Sequence, residues 1–578
     1  MPNTTPQLPN TEFVPSTLDC QSWDQLQPLF DALLERPVDD LDALRQWLAD
    51  YGALESAVRH ELTTTHIDHA CHTDDPAVEA RFMHTVRNIE PKLAPIRDQL
   101  KRKVVASPAS ESLPEGWAVT LRNWRSGIEL FREDNVALET ACTELTTDYD
   151  KIVGEMIVNF RGESMTLQQL ATHEPSTDRT TREQAWRLAA ERRLQDQEPI
   201  NTIYTKLVAH HQNIATNAGM ANYRDYAMKK WQRFDYGTDE CLQFHEAIKK
   251  ICVPLVQQLD KEKQRALNLE SLRPWDHSAD PAGEPLKPFA ADSAEDLMAK
   301  SIAVFEATEP WMGEHLSRLK QGRNLDLVSR KGKRAGGFQA SLTGYGEPFI
   351  FMNAAGTATD VRTMLHEAGH AFHYQLAYAN QPSIFLHGTG MEFAEVASMS
   401  MELLTLDHLQ AFYPDEIDRK RAQRQQLISA IRLLPWITVI DAFQHAVHTN
   451  PQGGVEKWTQ AWQRITSDFG TRHGGTHTDW SGLEDYKDTY WQRQLHLFHC
   501  PFYYIDYGIA QLGALQLWAQ AKQNKNKAIA AYRRGLSLGN TKTLPELFAA
   551  TGLSFDFSEK MLAPLIEQVQ EALDERID

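Results

Sequence analysis

The chain has little cysteine, no long apolar run and a deficit of positive charge, and each shortage closes off a class of protein. Six cysteines (Cys20, Cys71, Cys142, Cys241, Cys252 and Cys500) are scattered through 578 residues, with no CxxC pair. A dense disulfide framework is excluded, and reduced thiols are expected. No apolar stretch approaches the ~18 residues of a membrane-spanning helix, so none is expected. The opening run Met1-Pro2-Asn3-Thr4-Thr5-Pro6 shows neither the basic segment nor the apolar segment of a secretory signal, and a cytoplasmic location is the resulting expectation. Lysine and arginine number 59 against 78 aspartates and glutamates, a formal net charge of −19. So acidic a surface argues against nucleic acid or an anionic membrane as partner. Hydrophobic residues make up 42%, which in so long a chain supports a large core spread over more than one subdomain.

The pattern along the chain is mainly helical. Residues 1–17 hold four prolines and read as a flexible lead-in. From Ser22 to about Val104 apolar residues recur at helical spacing, as in Trp47, Leu48, Tyr51 and Leu54, with Pro37 ending an earlier helix. Ser107 to Pro114 has linker composition and suggests a hinge near 105–116. Helices resume, notably Thr181–Asp196 and Pro199–Ala218. Pro274, Pro281, Pro285 and Pro288 then mark a loop suited to rim a cleft. Only Arg334–Asn353 reads as sheet: a hairpin turning at Gly344 and Gly346, whose edge can pair with an extended peptide or simply buttress the next helix. Beyond residue 400 helices return, and the fourteen tryptophans read as core. The expected organisation is an N-terminal helical domain over 18–190 and a larger second domain over 191–578.

His366-Glu367-Ala368-Gly369-His370 carries the chemistry. Two histidines at i and i+4 are ~400° apart on a helix, so their rings project about 40° apart from one face. That spacing suits one tetrahedral zinc ion, and the glutamate beside the first histidine can take a proton from a water activated there. Asp360 supplies an acidic start to this helix.

A catalytic zinc site needs a third protein ligand and an open position. His373 lies near the same face, but His370 occupies the turn between, and the pattern with a distant third histidine fails because position 376 is Leu376. A second helix, Met391 to Leu404, offers Glu392, Glu395 and Glu402 behind a glycine-rich loop. We assign the ligand to Glu395, with Glu402 accepting a hydrogen bond from a ligating imidazole. Glu392 reads as a solvated or helix-start carboxylate. Other clusters read as bland: His66, His69 and His72 as surface residues, and His473 and His477 as a solvated turn or a substrate contact.

These blocks resemble the zinc metallopeptidases of the thimet oligopeptidase and oligoendopeptidase F group, closest to the oligoendopeptidase F branch. That group carries HExGHxxH and then a ligand glutamate in E-x-x-S, 25 residues after the second histidine. Here Glu395-Val396-Ala397-Ser398 stands at that distance from His370, and His373 fills the last place of the first motif. Pro348 to Asn353 resembles the strand before the zinc helix, and Trp491 to Trp518 resembles the group's tyrosine block. The resemblance covers roughly residues 190–570.

It implies a mostly α-helical, two-lobed zincin-type fold with a deep central cleft and one small sheet beside the zinc helix. It implies one Zn²⁺ per chain on His366, His370 and Glu395, with Glu367 as general base. It also implies Tyr507 as oxyanion donor, Tyr504 as its support or a substrate contact, and an upstream histidine, for which His496 is preferred to His499. Tyr503 reads as a packed ring, and Cys500 as a small buried hydrophobe. The expected activity is endopeptidase cleavage of short peptides. A helical zinc carboxypeptidase and a non-catalytic zinc-containing peptide binder remain as alternatives, and the number of subunits is left open.

Overall fold

The computed structural model describes residues 12–334, 336–470 and 477–575. Helices dominate, as the sequence pattern leads one to expect, accompanied by two small sheets rather than one. The unexpected sheet is a hairpin of β1 (Ile157–Phe160) and β2 (Glu163–Thr166), paired antiparallel. Its two-residue turn, Arg161-Gly162, has positive φ at both positions (56° and 90°), the geometry that matches the twist of a tight hairpin. Asparagine or aspartate before the glycine would have advertised it; arginine does not.

The other sheet has three strands, β3 (Leu325–Val328), β4 (Phe338–Leu342) and β5 (Glu347–Ala354), in the order β3-β5-β4. The expected hairpin is β4 and β5, running antiparallel with Phe338 opposite Phe351. Parallel β3 was not expected. β5 is central, and Phe349, Ile350, Phe351 and Met352 are all buried because both faces are covered. One face packs Phe349, Phe351 and Leu342 against Ile67, Ala70 and Cys71 of the long helix Leu41–Cys71. The other joins the main core with Met364 and Leu365. β4 is left as an edge.

Two cores carry most of the packing. The smaller gathers Val14, Phe30, Trp47, Tyr51, Leu100 and Trp124; the larger begins at Leu130 and runs to Leu573. In chain order the N-terminal members of the smaller core end at Trp124, and Tyr149, Phe160 and Ala185 already belong to the larger. Phe385 crosses back into the smaller core, its ring 4.8 Å from Tyr51 and 5.2 Å from Trp124. The N-terminal helices thereby grip the connection between the two helices that carry the candidate metal ligands.

Several loop expectations change on packing. Residues 1–11 of the expected lead-in lie outside the described residues, but Val14 is already buried. The expected hinge consists of the short turns Pro108–Ser112 and Glu115–Trp117, and its Ser107 hydroxyl donates to Val38 O at 2.5 Å. The proline-rich segment is anchored by Asp276, wholly buried between Arg179 (2.8 Å) and Arg182 (2.9 Å). His66 and His69 are half-buried rather than surface residues: His66 meets Phe338 edge-on and His69 stacks on Phe82 at 4.2 Å. His473 lies outside the described residues. One helix, Glu416–Thr449, is long and apolar enough to cross a bilayer, contrary to the sequence expectation, yet most of its apolar stretch is packed inside the fold.

Candidate active site

β5 leads directly into the motif helix, Ala358–Asn380. Its N-terminus is closed by a reciprocal cap, in which Thr357 Oγ1 accepts from Asp360 N (3.2 Å) and Asp360 Oδ2 accepts from Thr357 N (2.8 Å). Asp360 thus does more than complement the helix dipole. The carboxylate helix, Met391–Leu404, crosses the motif helix at Gly369. A Cβ at 369 would lie 2.5 Å from Ser398 Cα and 2.6 Å from Ala397 O, so only glycine lets the two backbones meet. That close crossing brings Glu395 over the histidine pair.

Glu395 Oε2 stands 3.3 Å from His366 Nε2 and 3.5 Å from His370 Nε2, and one ligand atom from each of the three residues fits within 4.8 Å of the others. Two of the three are oriented from behind. His366 Nδ1 faces Glu402 Oε1 at 2.7 Å; a carboxylate only accepts, so Nδ1 carries a proton and Nε2 is the nitrogen left to meet a cation. Glu402 is held in turn by the Gln426 amide at 2.8 Å. Glu395 is buried, its Oε1 accepting from the Tyr503 hydroxyl (2.6 Å) and its Oε2 from Ser398 Oγ (2.9 Å). Burial disfavours a charged His366 ring, yet hydrogen bonds to Glu395 and Glu402 raise its proton affinity well above the ordinary histidine value. Two imidazoles and a carboxylate that draw a cation to one point fit a zinc ion.

Glu367 lies on the strand side of this group. It is buried, and burial raises its pKa against the opposing pull of His366 and His370. Its Oε2 has no hydrogen-bond partner. Edge strand β4 approaches the same carboxylate through the Gln339 backbone N–H, and a Cβ at Gly337 would lie 3.7 Å from Glu367 Oε1. The Glu367 carboxylate and the exposed edge of the sheet are therefore adjacent.

The tyrosine helix, Tyr504–Leu536, packs against the carboxylate helix. Tyr507 places its hydroxyl 3.3 Å from His496 Nε2, while the Gln494 amide nitrogen stands 2.7 Å from His496 Nδ1. With Gln494 donating to Nδ1, the ring's proton sits on Nε2 and points at the Tyr507 oxygen, which frees the phenolic hydrogen to donate elsewhere. Desolvation lowers His496 to about 4, so this ring stays neutral near pH 7. His499 turns away and pairs with Asp150 at 2.9 Å. Tyr504 packs its ring on His496 at 4.8 Å and engages Trp436 and Gln494, the pose of a support rather than of a group reaching the histidine–glutamate cluster. His373 is buried against Phe393 and, held down by desolvation to about 3, is no part of the cluster.

The model of peptidase family M3 matches residues 172–565, and that of the M3 N-terminal domain matches 13–131. The chain belongs to peptidase family M3. This is a family of metallopeptidases, generally zinc-dependent. Among curated M3 relatives, oligopeptidase PepF of Bacillus subtilis is 24% identical over 56% of this chain and 47% of its own length. Group B oligopeptidase PepB of Streptococcus agalactiae is 23% identical over 52% and 48%. The match thus spans about half the length of either relative. Across the whole fold, the structure of Pz peptidase A with an inhibitor is similar, with TM-score 0.90, 25% identity and coverage of 96% of this chain and 97% of the other.

Within this M3 chain, two residues differ from their sequence reading. Tyr503 is a hydrogen-bond donor to Glu395, not merely a packed ring. Glu392 is buried rather than solvated, accepting from Tyr236 (2.5 Å) beside Arg233, whose guanidinium also pairs with Asp506 at 2.6 Å. Ser398, at i+3 from Glu395, was visible only as the last place of the E-x-x-S motif that carries the resemblance; Tyr503, Gln426 and Gln494 reach the site across distant segments and left no periodic signal.

Proposed function

We propose that this chain is a zinc-dependent endopeptidase acting on short peptides, cytoplasmic, with His366, His370 and Glu395 holding one zinc ion. When bound, zinc supplies Lewis acidity at the point those three residues share. Glu367 takes a proton from the attacking water and later passes it to the leaving amine. Tyr507 donates to the oxygen on which negative charge builds during attack, with His496 and Tyr504 holding it in place. β4 pairs with the substrate main chain, which makes recognition tolerant of side-chain identity. The net charge of −19 favours neutral or basic peptides.

The observation that carries this reading is the buried Glu367 carboxylate with an unpartnered Oε2 beside the histidine pair. A protein that only bound peptide around a structural ion has no use for so costly a group. The test compares internally quenched peptides blocked at both ends with peptides bearing a free C-terminus, before chelation, after it and after zinc is restored. Metal-dependent cleavage of the doubly blocked peptides is expected. Cleavage restricted to free C-termini points to a carboxypeptidase, and binding without cleavage to a non-catalytic protein.

A further inference from the structure

A second group of metal-ligating side chains lies outside the site just described. The helix Thr238–Ala266 carries Cys241 and His245, and the helix Glu416–Thr449 that packs against it carries Asp441 and His445. Each pair is spaced i,i+4, so each helix turns both groups toward one face. One ligand atom from each of Cys241, Asp441 and His445 fits within 4.8 Å of the others. His245 Nε2 stands 2.9 Å from Asp441 Oδ2, and His445 Nε2 is 3.3 Å from the same oxygen.

All four are deeply buried, Asp441 completely. Asp441 Oδ1 and His445 Nε2 have no hydrogen-bond partner. An unsatisfied carboxylate oxygen so deep in a fold is costly. Its only salt-bridge partners among the described residues are His245 and His445. Arg233 is close enough to influence Cys241, but its guanidinium is committed to Asp506 and to Phe502 O.

We infer that Cys241, Asp441 and His445 form a second, structural metal site for a zinc-class divalent ion, with His245 orienting Asp441 from the outer side. A thiolate and a carboxylate supply two negative charges, so one divalent cation leaves the buried cluster neutral. A sulfur donor beside imidazole selects zinc or a similar borderline ion over magnesium or calcium. His245 occupies Oδ2, which leaves Oδ1 as the free oxygen.

The position gives the ion a purpose. His445 packs edge-on against Phe502 at 5.4 Å, and the neighbouring Gln444 accepts the Phe502 N–H at 2.5 Å. Phe502 has φ of 68°, a left-handed conformation rare for a bulky residue, and it immediately precedes Tyr503 and the tyrosine helix. An ion at this site braces the backbone turn from which Tyr503 and Tyr507 are aimed.

The test is metal content of the full-length protein saturated with zinc, together with the near-ultraviolet absorption of the cobalt-substituted protein. Wild type should hold two equivalents and show a thiolate-to-cobalt charge-transfer band. The band should persist in His366→Ala/His370→Ala, because the first site has no sulfur ligand, and vanish in Cys241→Ser with loss of one equivalent. Should Cys241→Ser fail to fold, His445→Gln takes its place and should likewise lose one equivalent and shift or abolish the band; an unchanged band and two retained equivalents overturn the inference. No thiolate band in the wild type overturns the inference, as does a band that survives Cys241→Ser, which would place the sulfur elsewhere. Loss of the first site's zinc leaves the band untouched, so failure of the peptidase reading and failure of this one are distinguishable.

Discussion

The Tyr503 hydroxyl donates to Glu395 Oε1 at 2.6 Å, while Oε2 of the same carboxylate faces His366 and His370. One side chain from the tyrosine block therefore fixes the rotamer of the residue proposed as third zinc ligand. Tyr503→Phe keeps the ring and removes this bond. Zinc affinity, measured by competition with a chromophoric chelator, should fall ~10–100-fold, the usual effect of losing a partner behind a ligand. Unchanged affinity would return Tyr503 to a packing role.

Gly369→Ala separates two opposed effects. In a free helix alanine is favoured over glycine by about 0.8–1 kcal/mol. Here its methyl would meet Ser398 Cα at 2.5 Å, and forcing apart packed elements costs about 1–3 kcal/mol. The crossing should win, lowering the denaturant midpoint and weakening zinc retention together. A stabilised variant with full zinc retention would mean that the two helices do not meet as closely as the structure has them.

Tyr507→Phe removes a donor that the proposal uses only once charge has formed. kcat should drop by ~10²-fold or more, about 2.7 kcal/mol, with KM nearly unchanged. Tyr504→Phe should be milder, because that hydroxyl is engaged with Trp436 and Gln494. A rise in KM at constant kcat for Tyr507→Phe would assign it to substrate binding.

The chemistry of the candidate site was legible where its residues are close in sequence. His366, Glu367 and His370 declare themselves by helical spacing, and the Glu395 block follows a familiar interval. What joins those pieces was not. Tyr503 meets Glu395 from 108 positions away, and Glu392 is buried by Tyr236, Arg233 and Asp506, which come from two other segments. A lone glutamate near a helix start reads as solvated unless those partners are known. Among the strands, β4 showed alternating apolar residues and β5 a continuous apolar run on either side of a glycine turn, whereas β1, β2 and β3 are four residues each and too short for a periodic signal. The helical majority was legible because its apolar spacing repeats over many turns.

Acid should loosen the fold through histidines buried in neutral form. His448 is 1% exposed, with neither ring nitrogen partnered, and desolvation lowers it to about 3, well below the ordinary value of 6.5. The unfolded chain therefore binds a proton that the folded chain refuses between those values. Stability from this group is whole above pH 6.5 and is lost as pH falls from there toward about 3, at about 1.4 kcal/mol per pH unit. Denaturant titrations at pH 7 and pH 5 should show the decline, and His448→Leu should flatten it by roughly one proton's worth. An identical pH slope in the variant would place the titration elsewhere.

The most direct test of the central claim is Glu367→Gln, with zinc content, folding and turnover of a doubly blocked peptide measured on the same sample. The substitution preserves shape and removes basicity beside His366 and His370. Zinc and fold should be retained while kcat falls by ~10²–10⁴-fold, the range expected for a general base. A variant that keeps zinc and more than about a tenth of wild-type kcat would contradict the proposal, since a base contributing ~10²-fold or more could not be so cheaply lost.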